Sequence, residues 1–205
     1  MPNQNRNIQT LDLLGGAACL DFANTINSRT APEYDYLRDY ADFADWTVRA
    51  GITSAEQCSR LKSLAEQDAS HAHGAFVKAL HYREIIYQLF RKIARKIEPD
   101  PVELRLFLHL YSDALVHGEF TRSGAHFNIE WERAADLESP FWPILNSAAQ
   151  ILFSAELAHI KECPNCGWLF ADRSKNQSRK WCSMETCGAR DKMRRYQKKQ
   201  LALKP

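Results

Sequence analysis

Residues Cys163–Tyr196 read CPNCGWLFADRSKNQSRKWCSMETCGARDKMRRY. Two residues separate Cys163 from Cys166, four separate Cys182 from Cys187, and fifteen lie between the pairs. Four soft thiolate donors in two close-spaced pairs are what zinc needs for a tetrahedral shell. The spacing therefore predicts one structural Zn²⁺ on Cys163, Cys166, Cys182 and Cys187. With four cysteines on the metal no position is left for water or substrate, so the site is expected to hold structure rather than carry out chemistry. CPNCG reads as a knuckle, with Gly167 in a left-handed conformation and backbone amides turned toward sulfur. So short a segment has little apolar surface to bury, and the metal would supply much of its folding energy.

The same stretch carries the chain's charge asymmetry. Residues 161–205 hold twelve Lys/Arg against four acids, a balance of +8, whereas the remaining 160 hold fifteen against twenty-one, a balance of −6. A field divided this way attracts a polyanion. Within the module, Trp168–Ala171 is expected to form a strand and Arg179–Cys182 its return, with the turn-forming Asp172–Ser178 between them. Ser183 is expected to cap a helix that carries Cys187 in its first turn and runs toward Leu201. Arg190, Arg194 and Lys198 recur every four residues on it, beside Arg195 and Lys199, as a basic stripe. With Arg173, Lys175, Asn176, Arg179 and Lys180 on the hairpin, these residues are the candidate nucleic-acid contacts. Arg190 has a second reading, as a clamp on Asp172 or a screen for the thiolates. Knuckle, hairpin and helix around one metal make a treble-clef-like or zinc-ribbon-like module.

Upstream the chain reads as mainly α. Residues 1–12 form a loose leader, and 13–26 (LLGGAACLDFANTI) a glycine turn and a short helix. Further helices are expected over 38–50, closed by Gly51; from a Thr53/Glu56 capping box through Ala65; over 75–97; and from Pro101 to about His117 with Leu104, Leu108, Tyr111 and Leu115 inward. Residues 67–74 are expected to form a kink or short loop. The alternation about Ser123-Gly124 predicts a small hairpin over 118–133. A helix from Ser139-Pro140 to Phe153 and a final turn capped by Ser154 deliver the chain into Cys163. No glycine/serine linker intervenes, so the module is expected to be held rigidly on a helical body of residues 1–160, itself a sensory or regulatory domain, with residues 161–205 as the metal module.

Asp21, Asn24 and Thr25 sit in an otherwise apolar stretch beside Phe22. They read either as buried groups that fix the N-terminal backbone or, with Trp46, as the wall of a ligand pocket. Cys19 and Cys58 are expected to be free core thiols in a reducing, cytoplasmic setting. The seven histidines have no acid or cysteine at a familiar metal spacing. No H-E-x-x-H, glycine-rich phosphate loop or nucleophile elbow is present, so no enzyme is expected.

The C-terminal segment CPNCGWLFADRSKNQSRKWCSMETCGAR resembles the CGNR-type zinc finger family. Residues 14–25, LGGAACLDFANT, resemble the glycine-rich opening and C-L-D-F-x-N-T signature of the helical domain that accompanies that finger in stress-induced transcriptional regulators. The two similarities span about Leu13 to Tyr196. They imply that the four cysteines are the zinc ligands and that the finger binds DNA. The family's Cys-Gly-Asn-Arg reads Cys187-Gly188-Ala189-Arg190 here, so the asparagine's contacts are missing while ligand and arginine stand. The expected protein is a DNA-binding transcriptional regulator, ligand- or stress-responsive. Its partners would be DNA, a small-molecule effector and a second copy of the chain, with no membrane. The alternative is a small-molecule-binding helical domain whose finger contacts protein or RNA.

Overall fold

A computed structural model describes residues 7–131 and 136–202. Seven α-helices carry the fold among them: α1 (Ala18–Ala23), α2 (Tyr40–Arg49), α3 (Ala55–Gln67), α4 (Ala69–Ala94), α5 (Pro101–Leu115), α6 (Phe141–Leu152) and α7 (Ala189–Ala202). Antiparallel strands β1 (Gly118–Ser123) and β2 (His126–Trp131) pair Ser123 with His126 across a tight turn at Gly124. A 3₁₀ turn (Ala155–His159) leads into β3 (Ile160–Glu162), which pairs antiparallel with β4 (Leu169–Ala171). The architecture is mainly α with two small sheets.

The core is aromatic at its centre. Phe22 of α1 lies 5.7 Å from Phe43 and 5.1 Å from Trp46, both on α2, and Phe43 lies 5.3 Å from Phe141 of α6 (ring centroids). Six-residue α1 cannot stand alone as a helix; it forms because α4, α6 and β4 close around it, with Cys19, Leu20, Phe22 and Ala23 fully buried. Burial places Cys19 among the core thiols and pushes its pKa up to about 12. Cys58 is likewise a free, buried thiol.

Six sequence expectations change. Residues 7–12 are not loose: Ile8 and Leu11 are buried, and Arg49 holds the Leu11 carbonyl. Residues 1–6 lie outside the described residues. The box that opens α3 is Ser54/Gln57, one residue beyond Thr53/Glu56; the Ser54 hydroxyl accepts the Gln57 N–H, and the Gln57 side chain accepts the Ser54 N–H. Thr53 is instead bonded to Thr47. The break expected over 67–74 shrinks to Asp68, whose carboxylate caps α4, and Gly74 lies inside that helix in open space. At the other end α4 stops at Ala94, because Lys96 turns left-handed at φ 61°, and Ile97 is exposed.

On α5 the buried side is Phe107 and Ala114, and Leu104, Leu108 and Leu115 face out. Leucines at 104, 106, 108 and 110 place apolar side chains around the whole helix, so periodicity cannot choose its inner face. The sixth change concerns the metal module. β4 pairs with β3 rather than with 179–182, and all three β4 residues are buried. No described helix is long and apolar enough to cross a membrane.

Candidate metal centre and nucleic-acid interface

The Sγ atoms of Cys163, Cys166, Cys182 and Cys187 all lie within 4.8 Å of one another, and the four residues are buried. Cys166 and Cys182 are 3.6 Å apart, Cys182 and Cys187 3.7 Å. A tetrahedron of Zn–S bonds near 2.3 Å has S···S edges of about 3.8 Å, so these residues fit one zinc ion. Their protonation agrees. Cys163 is drawn well below the ordinary thiol range by the S–H groups of Cys166, Cys182 and Cys187, and Cys187 is lowered to about 7, while Cys166 and Cys182 are pushed up. Such a cluster resists ionising all of its thiols together; a divalent cation is what allows all four to become thiolates.

Local chemistry shapes each pair. In the knuckle, Gly167 adopts φ 74°, its N–H donates to the Cys163 carbonyl at 2.8 Å, and the Cys163 N–H donates to Trp168 at the same distance. In the second pair, the Ser183 hydroxyl accepts the Thr186 N–H and opens a π-helical turn (Met184–Gly188) that carries Cys187 and continues into α7. Asn165 ties the pairs together by donating to the Cys187 carbonyl.

Five successive residues, from Asn165 of the knuckle to Leu169 of β4, are bonded to the helical body. Thr30 donates to the Asn165 carbonyl, the Arg29 N–H to Cys166, Tyr87 to Gly167, and the Trp168 indole to Ile26. Asn24 bonds both the N–H and the carbonyl of Leu169. Arg29 is itself fixed, with its guanidinium on Glu84 and the Ala23 carbonyl and 4.0 Å above the Tyr87 ring. Buried Arg83 forks onto Asp35 at 2.8 and 2.7 Å and anchors the same connector. Nothing in the local sequence marked Arg29, Arg83 or Asp35 for this task; only the folded connector brings Arg29 to Cys166 and Arg83 to Asp35.

This accounts for the expected pocket residues. Asp21 accepts the Gly15 N–H at 2.7 Å, and Thr25 donates to Phe22 and accepts from Arg83. Asn24 belongs to Leu169, and Phe22 and Trp46 are packed at zero exposure. Asp21, Asn24 and Thr25 are thus engaged with backbone and Arg83 partners that hold α1 and dock the metal module on it, while Phe22 and Trp46 pack in the aromatic core, the Trp46 indole N–H buried without a partner among the described residues.

Downstream of β4, buried Asp172 organises the loop. Its carboxylate takes Lys161 Nζ at 2.6 Å, the Ser174 hydroxyl at 2.6 Å and the Arg179 N–H at 2.9 Å. Burial would raise this carboxyl, yet those donors hold it well below its usual range. Arg179 is spent internally as well: it lies 4.6 Å above the Phe170 ring and donates to the carbonyls of Trp181 and Cys182. That arginine, rather than Arg190, is the one that clamps the module. Arg173 pairs with Glu156 on the 3₁₀ turn. Lys175, Asn176, Lys180, Arg190 and Lys198 are exposed. Arg194 and Arg195 are exposed too and share Asp191 at their inner ends. Ala189 is exposed at the start of α7, so an asparagine amide there would have faced outward. Lys204 lies outside the described residues.

Two family models match the chain. One, described as "CGNR zinc finger", covers residues 159–200; the other, ABATE, described as "Putative stress-induced transcription regulator", covers residues 16–155. The chain belongs to the ABATE family. No curated protein matches it. The ABATE match takes in α1 to α6 and the β1–β2 hairpin, and the CGNR match begins within the 3₁₀ turn and takes in all four cysteines and most of α7. The helical segment named for regulators and the zinc finger thus meet across the Asn24–Leu169 and Arg29–Cys166 bonds.

Proposed function

We propose that this ABATE protein is a DNA-binding transcription regulator whose zinc finger supplies the DNA contacts. The observation that carries the reading is the surface of α7. Immediately after the last cysteine, Arg190, Lys192, Arg194, Arg195, Lys198 and Lys199 project from one exposed helix, fixed to the body through the metal centre. Asp191 is the one acid on the helix. Lys175, Asn176 and Lys180 extend the positive surface onto the loop. Phosphate contacts from these residues would dominate affinity and make it salt-dependent, with α7's first turn or the loop providing base selection.

Fluorescence anisotropy with duplex DNA, zinc-loaded protein and a series of salt concentrations tests this. Binding should weaken along a linear log–log salt slope, and the triple substitution of Arg190, Arg194 and Arg195 by Ala should flatten that slope by about three counterions. No binding at low salt, or an unchanged slope, rules the reading out. A second reading is favoured by exposed Met193, Tyr196 and Leu201 on the same helix, which suit a protein or RNA contact; competition between duplex DNA and RNA separates the two.

A further inference from the structure

Between the end of α4, α5, the end of α6 and the 3₁₀ turn lies a groove of about 810 Å³. Ile93, Phe107, Leu108, Tyr111, Leu152 and Leu157 are among its lining residues. The volume falls in the range of small-molecule sites, which are concave and mostly apolar. Apolar side chains that a finished core would cover are exposed around it: Ile97 by 52%, Leu108 by 55% and Phe153 by 77%. The polar groups present ask for no ion. The Tyr111 hydroxyl already donates to Asn146, and Lys96 and Glu98 bring one charge of each sign to the lining. Charge balance and lining together select a neutral, apolar ligand.

The wall nearest the finger has a second connection. Ala155, Leu157 and Ala158 of the 3₁₀ turn line the groove, while Glu156 and His159 of the same turn grip the metal module. Glu156 pairs with Arg173, the His159 carbonyl accepts the Asp172 N–H at 2.9 Å, and the His159 ring meets Gln177 at 3.2 Å. One five-residue turn therefore touches the groove on one side and the Asp172-centred loop on the other.

We propose that this groove binds a neutral apolar small molecule, and that the Ala155–His159 turn transmits its occupancy to the loop that carries Lys175 and Lys180. The use of that signal rests on the DNA-binding reading above; the site itself does not.

Titration of the full zinc-loaded chain with the neutral fluorophore N-phenyl-1-naphthylamine tests the site. One saturable site per chain is expected, weakened at least tenfold by Leu108→Glu and by Phe153→Ser. Both positions are exposed, so circular dichroism and thermal midpoint should stay near the parent's. Phe120→Ser and Phe127→Ser, exposed on the β1–β2 hairpin, should leave binding unchanged. Hydrogen exchange with the probe bound should slow at 155–160 and 172–179. Lack of saturation, equal binding by Leu108→Glu, or loss only in the hairpin variants overturns the site. So does a dimer in sedimentation that Leu108→Glu dissociates, since the groove would then be covered by a second copy. Protection confined to α5 and α6 overturns the relay. Failure to bind DNA would remove the regulator reading and leave the fluorescence and exchange results standing.

Discussion

The Asn24 carboxamide closes on the backbone of Leu169 as a neighbouring strand would: Nδ2 donates to the Leu169 carbonyl at 2.8 Å, and Oδ1 accepts its N–H at 2.9 Å. Both residues are buried, so no water can take over either bond. Asn24→Ala strands a donor and an acceptor at the seam between helical body and zinc finger. It is expected to lower unfolding free energy by about 2–4 kcal/mol while one zinc per chain is retained. Asn24→Asp loses the donor as well and should be no better. Chemical denaturation with parallel metal analysis measures both quantities; a neutral Asn24→Ala would mean that the seam does not hold the finger.

Because the chain from Asn165 to Leu169 is bonded to the body at five consecutive residues, metal loss should not stay local. Removing zinc with a chelator is expected to lower the thermal midpoint of the whole chain, read by circular dichroism of the helices, in one transition rather than two. Cys187→Ser should act in the same direction. A helical signal indifferent to chelation would show that the body folds without regard to the metal.

How much of this was legible in sequence depends on how local the cause is. The metal cluster followed from cysteine spacing alone, and the β1–β2 hairpin from alternation about Ser123-Gly124, because ligand geometry and turn chemistry act within a few residues. The inner face of α5 was not legible, since its leucines surround the helix and the choice falls to packing against α6. The strand partner of Leu169–Ala171 was misread for a related reason. Alternation suggested a half-exposed hairpin with 179–182, but Phe170 is covered by Arg179 and the strand's edges are taken by β3 and the Gly15 carbonyl. Asp21, Asn24 and Thr25 stand out as polar residues in an apolar stretch. Their partners lie as far as 145 residues away, beyond what the stretch itself can disclose.

Gly167 and Gly51 both have positive φ, 74° and 70°, but differ in surroundings. A Cβ on Gly167 would sit 2.8 Å from the Arg29 Cβ, whereas one on Gly51 meets nothing within 4 Å. Gly51→Ala is expected to cost the left-handed penalty alone, about 1–2 kcal/mol. Gly167→Ala adds a clash at the Arg29–Cys166 contact, so it should cost clearly more and weaken zinc retention against a competing chelator. Equal costs would show that the knuckle can shift away from the connector.

Burial raises the Asp21 carboxyl from 3.8 to about 6, against the opposing pull of the Gly15 N–H. Over that window the folded chain keeps a proton that the unfolded chain releases, so this group's contribution makes stability fall as pH rises. Asp21→Asn carries no such proton and retains an oxygen for Gly15. Relative to the parent it should gain on the order of 1–2 kcal/mol as pH rises from about 4 to 7. Acid also strips zinc from thiolates, but subtracting one denaturation series from the other cancels that shared loss. A difference that stays flat across the window would show that Asp21 is not the titrating group.

Arg179 and Lys175 look alike in sequence as basic residues of one loop, and the fold assigns them different work. Arg179 is committed to the Phe170 ring and to the Trp181 and Cys182 carbonyls, whereas Lys175 is exposed. Arg179→Ala leaves acceptors beside a zinc ligand without their donor, and is expected to cost about 1–3 kcal/mol of stability and to speed zinc loss to a chelator. Lys175→Ala should leave both untouched and act on DNA affinity alone, reducing the salt slope by about one counterion. Arg179→Lys keeps the charge but loses the planar fork that reaches two carbonyls over a ring, so it should resemble Arg179→Ala in stability. Full rescue by lysine would show that the position needs only its charge, and would return Arg179 to the set of phosphate contacts.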